Sequence, residues 1–299
     1  VATASVVFDG PASPGLTLAP LQRSGRDPCY RSAADGAIWR TSLMRTGPVT
    51  ARIVKTAPDT VECEAWGDGS AEFLDGLPEL LGAADDDSDF APAEPTIAEA
   101  YRRTPHLRLG RTGRVLEALI PAIIEQRVSG MDAWRAWRAL VSRYGAPAPG
   151  PAPTGMRVPP SAEVWRRIPS WEFHRANVDP GRVRTIVGCA QRADALERLT
   201  ADRAVAGLRS LPGVGEWTAA ETVQRVFGDA DALSVGDYHL ATVVGLSLLG
   251  TPIDDAAMVE LLEPLRPHRH RAVRLLYASG MAGNPRRGAR QAIPNLRAL

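Results

Sequence analysis

Two segments of the chain carry residue types whose spacing points to chemistry. The first is Leu211-Pro212-Gly213-Val214-Gly215-Glu216-Trp217-Thr218-Ala219, flanked by short helical patterns. Two glycines one residue apart make a tight turn and let another backbone approach. The amides of Gly213, Gly215 and the helix start that follows form a nest of outward-pointing donors. With the positive end of a helix dipole, such a nest binds a phosphate without reading sequence. A bare Gly-x-Gly is more often a plain helix–helix turn, but the full Leu-Pro-Gly-x-Gly between matched helices favours the phosphate site. The second segment, about twenty residues on, is Leu233-Ser234-Val235-Gly236-Asp237-Tyr238-His239-Leu240. Asp237 stands where a helix begins, and taken alone it is best explained as an N-cap. Hairpin, helix, loop and then this aspartate form a more specific combination than either part.

Other chemistries are excluded by count. Lys55 is the only lysine, so no Schiff base on a lysine can form after residue 55. Cys29, Cys63 and Cys189 lie far apart, with no CxxC, zinc or cluster-ligand spacing. An odd number of cysteines also argues against a disulfide scaffold. No run of 18 apolar residues and no signal-peptide pattern occurs, which reads as a cytoplasmic protein with no membrane partner.

The elements that must position the two segments follow from periodicity and charge. The chain has 299 residues, enough for two domains or one large one. Its formal net charge is +1, which excludes an acidic solvating chain and a uniformly basic coat. That sum hides a split: residues 1–95 carry seven basic and fifteen acidic groups, and residues 96–299 carry 28 and 19. A polyanion-binding surface belongs in the second part. Ala37–Leu43, Val49–Thr56 and Thr60–Trp66 predict strands separated by turns, with Val6-Val7-Phe8 as an edge strand. Ala71–Leu81 predicts a helix on one face of that sheet. Asp85–Asp89 and the proline-bearing Ala91–Pro95 form a polar connector, and Ala146–Pro160 a second loop-like stretch.

From residue 96 the periodicity is helical. Val115, Leu116, Leu119, Ile120, Ile123, Ile124 and Val128 make one apolar stripe. Met131, Trp134, Trp137, Val141 and Tyr144 make the next, with both tryptophans expected in the core. Asp179-Pro180 starts a further helix as cap and first-turn proline. Helices follow at Ala201–Leu208, from Glu216, from Tyr238 and over about His268–Ser279. Gly283–Leu299 is a basic tail with four arginines and no acid, expected to be flexible.

The hairpin and its aspartate resemble those of the helix-hairpin-helix DNA glycosylases, in particular the 3-methyladenine DNA glycosylase II type. The resemblance covers about Thr104 to Gly280, and more weakly the N-terminal sheet. Supporting segments are Leu107-Arg108-Leu109, Ala122-Ile123-Ile124-Glu125-Gln126-Arg127-Val128-Ser129, and Arg266-Pro267-His268-Arg269 before Tyr277. It implies a mainly α protein: an N-terminal α+β domain with an antiparallel sheet (1–95), then two helical subdomains (96–282), ahead of the tail (283–299). Double-stranded DNA with damaged bases would lie across a cleft between them, bound by a monomer associated with the nucleoid. By position Asp237 matches the catalytic aspartate. Breaking an N-glycosidic bond develops oxocarbenium character on the sugar, and a nearby anion stabilises it.

The resemblance also assigns lesser roles. Gly213, Val214, Gly215, Thr218, Gln126 and Arg127 would contact DNA, with Arg127 at the position of the residue that fills the vacated base stack. Trp217, Tyr277 and Leu276 would line the base pocket, where Trp217 is equally well read as a core residue. The carbonyls of Arg209, Leu211 and Val214 would hold a monovalent cation, Na+ or K+, and no cofactor is required. Relatives with lyase activity carry lysine at the position of Trp217, so the expected enzyme is monofunctional. The four-cysteine run of the iron–sulfur branch is absent. Alkylated purines are the expected substrates, with deaminated purines, uracil or non-catalytic DNA binding as rivals. His268, Arg269, His270 and Arg271 read as a DNA-facing or solvated basic stretch rather than a metal cluster, because histidines at i and i+2 do not share a helix face.

Overall fold

The computed structural model describes residues 1–285; most of the expected basic tail lies outside them. Alternating burial along the N-terminal strands pairs them into one antiparallel sheet. Its strands are β1 (Ala2–Val7), β2 (Tyr30–Ser32), β3 (Ile38–Met44), β4 (Gly47–Lys55) and β5 (Thr60–Trp66), in spatial order β1-β5-β4-β3-β2. The predicted edge strand is β1, paired with β5 from Ala2↔Ala65 to Val7↔Thr60. The three-residue β2 was too short for a periodicity signal. The helix expected over 71–81 is broken into Ser70–Asp75 and Leu77–Leu80. Gly76 separates the pieces, and Pro78 in the first turn of the second cannot donate to the first. Phe73, Leu77, Leu80 and Leu81 still cover one sheet face, against Val49, Ala51, Ile53 and Val61.

Two helical cores follow. One gathers the helices Val115–Glu125, Gly130–Tyr144 and Pro180–Gln191 with the hairpin helices Ala201–Arg209 and Glu216–Val226. Asp179 caps the third of these by accepting from the amides of Gly181 and Arg182. The other core joins Phe90, Ile97 and Leu107 to residues between Leu233 and Leu276. The chain thus contributes to the last subdomain twice, from both sides of the middle one. On Gly130–Tyr144 the buried stripe is Ala133, Ala136, Trp137, Leu140 and Val141. Trp134, expected in the core, is 39% exposed, and Met131 is 43% exposed. Ala133 and Ala136 take the inward positions at the start of the helix, where Met131 and Trp134 were expected. Trp137 is in the core, where its indole donates to Asp27 at 3.1 Å.

Two stretches expected at the surface are tied down. Within 146–160, β6 (Ala146–Pro147) and β7 (Arg157–Val158) pair as a ribbon. The Thr41 hydroxyl on β3 donates to the Arg157 carbonyl at 2.6 Å, and Val158 is fully buried. The basic stretch 268–271 also turns inward instead of facing solvent. Arg271 is 1% exposed and makes two hydrogen bonds to Asp85, at 3.0 and 2.6 Å. Arg269 grips Asp231 through Nε and Nη2. His268 accepts from Arg271 on Nδ1 at 3.1 Å and meets Asp89 with Nε2 at 2.8 Å. Acids of the connector therefore clamp the C-terminal helix Arg269–Ala278. Removing one partner strands a buried charge, which costs far more than losing an exposed pair. Asp85→Ala is predicted to lower the unfolding free energy by about 3–5 kcal/mol in denaturant titration. Glu99→Ala, which removes the exposed pair with Arg103, is predicted to cost under about 1 kcal/mol.

Candidate active site and nucleic-acid interface

The hairpin connects Ala201–Arg209 to Glu216–Val226 through Leu211–Gly215. Gly213 sits at φ +85°, and a Cβ there would run into the Thr185 hydroxyl. Its partner Gly215 has φ −91° and would place a Cβ in open space. One glycine therefore seats the turn on the Pro180–Gln191 helix, and the other leaves the outer face unobstructed. Gln126 braces the turn from the end of Val115–Glu125. Its side-chain amide donates to the Gly213 carbonyl at 2.9 Å and to the Thr218 hydroxyl at 2.8 Å. Thr218 is buried beneath the hairpin and Val214 is buried in the turn. Arg127, next to this brace, is exposed and held at φ +54°. Among the described residues no hydrogen bond reaches the Arg209 or Val214 carbonyl, and that of Leu211 accepts only the Val214 amide, at 3.1 Å.

Asp237 follows Gly236, which takes φ +86°. The helix expected from Tyr238 begins at Leu240 and ends at Leu248. Asp237 Oδ1 accepts from the amides of His239 and Leu240 at 2.9 and 3.0 Å, so it caps the amides that lead into this helix from two residues ahead of the N-cap position, His239. Its other oxygen, Oδ2, accepts from the Trp217 indole N–H at 3.1 Å. The two sequence segments meet at this bond. Trp217 is half-buried, neither a core residue nor a bare wall, and it orients the carboxylate.

A cavity of about 230 Å3 opens beside Asp237. It lies where the N-terminal domain, at Thr17 and Leu21, meets the second hairpin helix, the Asp237 loop and the C-terminal helix. Tyr277, 48% exposed, lines it; Leu276 and Trp217 do not. Leu276, expected in the pocket, is fully buried in the last subdomain's core. Burial and the charges of Asp237 and Glu221 raise the Tyr277 phenol above its ordinary pKa. Glu221 and Arg274, which no sequence motif marked, also line the cavity, as does His270, expected on a DNA-facing or solvated stretch. The signal for Glu221 was its place four residues after Trp217, on the same helix face.

No protein-family model matches the chain. Solved structures align over nearly its whole length. The 3-methyladenine DNA-glycosylase from Archaeoglobus fulgidus superposes with a TM-score of 0.76 at 16% identity, covering 93% of this chain and 98% of that one. The apo 8-oxoguanine glycosylase/lyase of Clostridium acetobutylicum gives 0.69 at 13% identity, covering 92% and 95%. The fold is that of the helix-hairpin-helix DNA glycosylases. A curated relative from Mycobacterium tuberculosis, the probable bifunctional transcriptional activator/DNA repair enzyme AlkA, is 26% identical over 270 residues. That match takes in 84% of this chain and 52% of the relative, so the chain spans about half the length of the curated relatives it matches. In this glycosylase fold the two hairpin glycines are predicted to differ. Gly213→Ala should lower unfolding free energy by at least about 2 kcal/mol, from positive-φ strain plus the Thr185 clash. Gly215→Ala should stay within about 0.5 kcal/mol in the same denaturant titration.

Proposed function

We propose that the chain is a monofunctional DNA glycosylase that removes alkylated purines, of the 3-methyladenine type, from double-stranded DNA in base-excision repair. The observation that carries this reading is the Asp237 carboxylate, fixed at the mouth of a cavity by the hairpin's own tryptophan. The names of the AlkA relative and of the Archaeoglobus structure agree with it.

The hairpin amides of Gly213, Gly215 and the helix start hold a backbone phosphate on the open side that Gly215 provides, while the Val214 amide is committed to the Leu211 carbonyl. The damaged base leaves the stack, at a cost of a few kcal/mol. Arg127 enters the space it vacates, with Gln126 bracing the turn behind it. The carbonyls of Arg209 and Val214 are free to ligate a monovalent cation, with the remaining lone pair of Leu211, which would add positive charge facing the phosphate. With the base in the cavity against Tyr277, the sugar lies near Asp237. As the glycosidic bond lengthens, the carboxylate stabilises positive charge on the sugar without having to reorient. An alkylated purine is cationic and leaves readily, so no strong general acid is needed. Water completes the hydrolysis and leaves an abasic site.

Lyase chemistry requires an amine nucleophile that forms a Schiff base. Here the hairpin position carries Trp217, and Lys55 lies exposed at the end of β4, on the sheet domain. The test is free-base release from duplexes each bearing one defined lesion. Release of alkylated purine, with no protein–DNA adduct trapped by borohydride, is the expected result. Tight duplex binding with no base released from any lesion would favour a non-catalytic DNA-binding protein, and a trapped adduct would overturn the monofunctional assignment.

A further inference from the structure

Glu221 has no part in the steps above, yet its carboxylate sits in the cavity. It lies one turn beyond Trp217 on the second hairpin helix, with its side chain 15% exposed. Oε1 accepts from the Ser234 hydroxyl at 2.6 Å, and Oε2 pairs with Arg225 Nη1 at 2.7 Å. A carboxylate oxygen accepts about two hydrogen bonds, so each keeps one site unused. Burial alone would raise its pKa, but Arg225, the Ser234 hydroxyl and Arg23 outweigh that and hold the group ionised.

Arg274 lines the same cavity from the C-terminal helix. Its Nη2 donates to the Leu16 carbonyl at 2.9 Å, while its buried Nε has no partner among the described residues. Burial and Arg225 lower its pKa to about 10, so it remains cationic at neutral pH. One turn earlier, His270 is kept neutral by burial, reinforced by Arg274, Arg225 and Arg271. The cavity therefore presents a fixed anionic acceptor and a guanidinium with donor capacity to spare. An aromatic cage recognises a base by its positive charge. A site with committed polar groups instead rejects ligands that leave those groups unpaired.

We propose that Glu221 is a specificity-determining residue, accepting a hydrogen bond from a ring N–H on the flipped purine while the neighbouring carbonyl of the base faces Arg274. Among the alkylated purines that leave readily, Glu221 then favours those with adjacent N–H and C=O groups, as in 7-methylguanine, an edge that hypoxanthine shares and 3-methyladenine lacks. Bases whose edge is closed, such as 1,N6-ethenoadenine, gain nothing from Glu221. This rests on the glycosylase reading above.

Single-turnover release from duplexes carrying 7-methylguanine, hypoxanthine or ethenoadenine tests it. Glu221→Gln should slow release of hypoxanthine and 7-methylguanine at least tenfold and change ethenoadenine less than threefold. Glu221→Asp keeps the charge but withdraws it by one methylene, and should give the same lesion-selective loss at smaller size. It serves as the second variant if Glu221→Gln does not fold. Equal slowing on all three lesions would overturn the assignment, because Glu221 would then only hold Arg225 in place. A wild-type protein silent on all three lesions and on methylated duplex DNA, which carries 3-methyladenine, would instead bring down the glycosylase reading on which the assignment stands.

Discussion

The site depends on how the Asp237 carboxylate is held. A carboxylate that only caps a helix spends its acceptor capacity on its own loop. Here one oxygen does that, toward His239 and Leu240, and the other takes the Trp217 indole proton. Two segments about twenty residues apart are joined at one group. The hairpin cannot shift without turning the carboxylate, and the loop cannot open without losing its cap. The carboxylate beside the cavity is thus held in a fixed direction before any substrate arrives, and under the proposed function this is what would make a single charge effective against a developing cation. Gln126 extends the same constraint by tying the hairpin to the Val115–Glu125 helix.

The charge split along the chain acquires a structural meaning. An acidic N-terminal part and a basic helical part would suggest two separate surfaces, one of them for polyanions. Much of the opposition is instead internal. Asp85 and Asp89 reach Arg271 and His268, while Arg23 and Arg40 of the N-terminal part pair with Glu125 and Glu117 on the first long helix. These cross-domain pairs set the N-terminal domain against both helical subdomains, and the cavity lies at that junction. The clamp and the cavity are consequences of the same docking.

Most of the fold was legible in the sequence because the signals were local. Short runs of β-branched and aromatic residues between turn residues marked β3, β4 and β5, and Asp179-Pro180 and the hairpin glycines marked helix boundaries. Long-range features were not legible. On Gly130–Tyr144 the predicted stripe is buried at Trp137 and Val141, but Ala133 and Ala136 take the inward positions at its start, which leaves Met131 and Trp134 exposed. The basic stretch 268–271 could be understood only beside Asp231 and the connector acids Asp85 and Asp89, far from it in the chain. Asp237 and the hairpin stood out because their spacing is short and specific. Glu221 and Arg274 did not, since a Glu and an Arg on helices read as solvated faces until three parts of the chain close around one cavity.

The central claim is that Asp237 acts on the reacting sugar as well as capping a helix, and one substitution separates the two roles. In Asp237→Asn the side-chain oxygen can still accept from His239 and Leu240, so those bonds survive while the charge is lost, together with the bond from the Trp217 indole, because the amide nitrogen donates and cannot accept. Single-turnover base release from alkylated duplex DNA, measured beside duplex affinity and thermal stability, is the direct test. The account predicts release slowed at least a hundredfold, with affinity close to that of the wild type and stability lowered by about 1–2 kcal/mol for the lost indole bond. Release at the wild-type rate from the folded variant would contradict it.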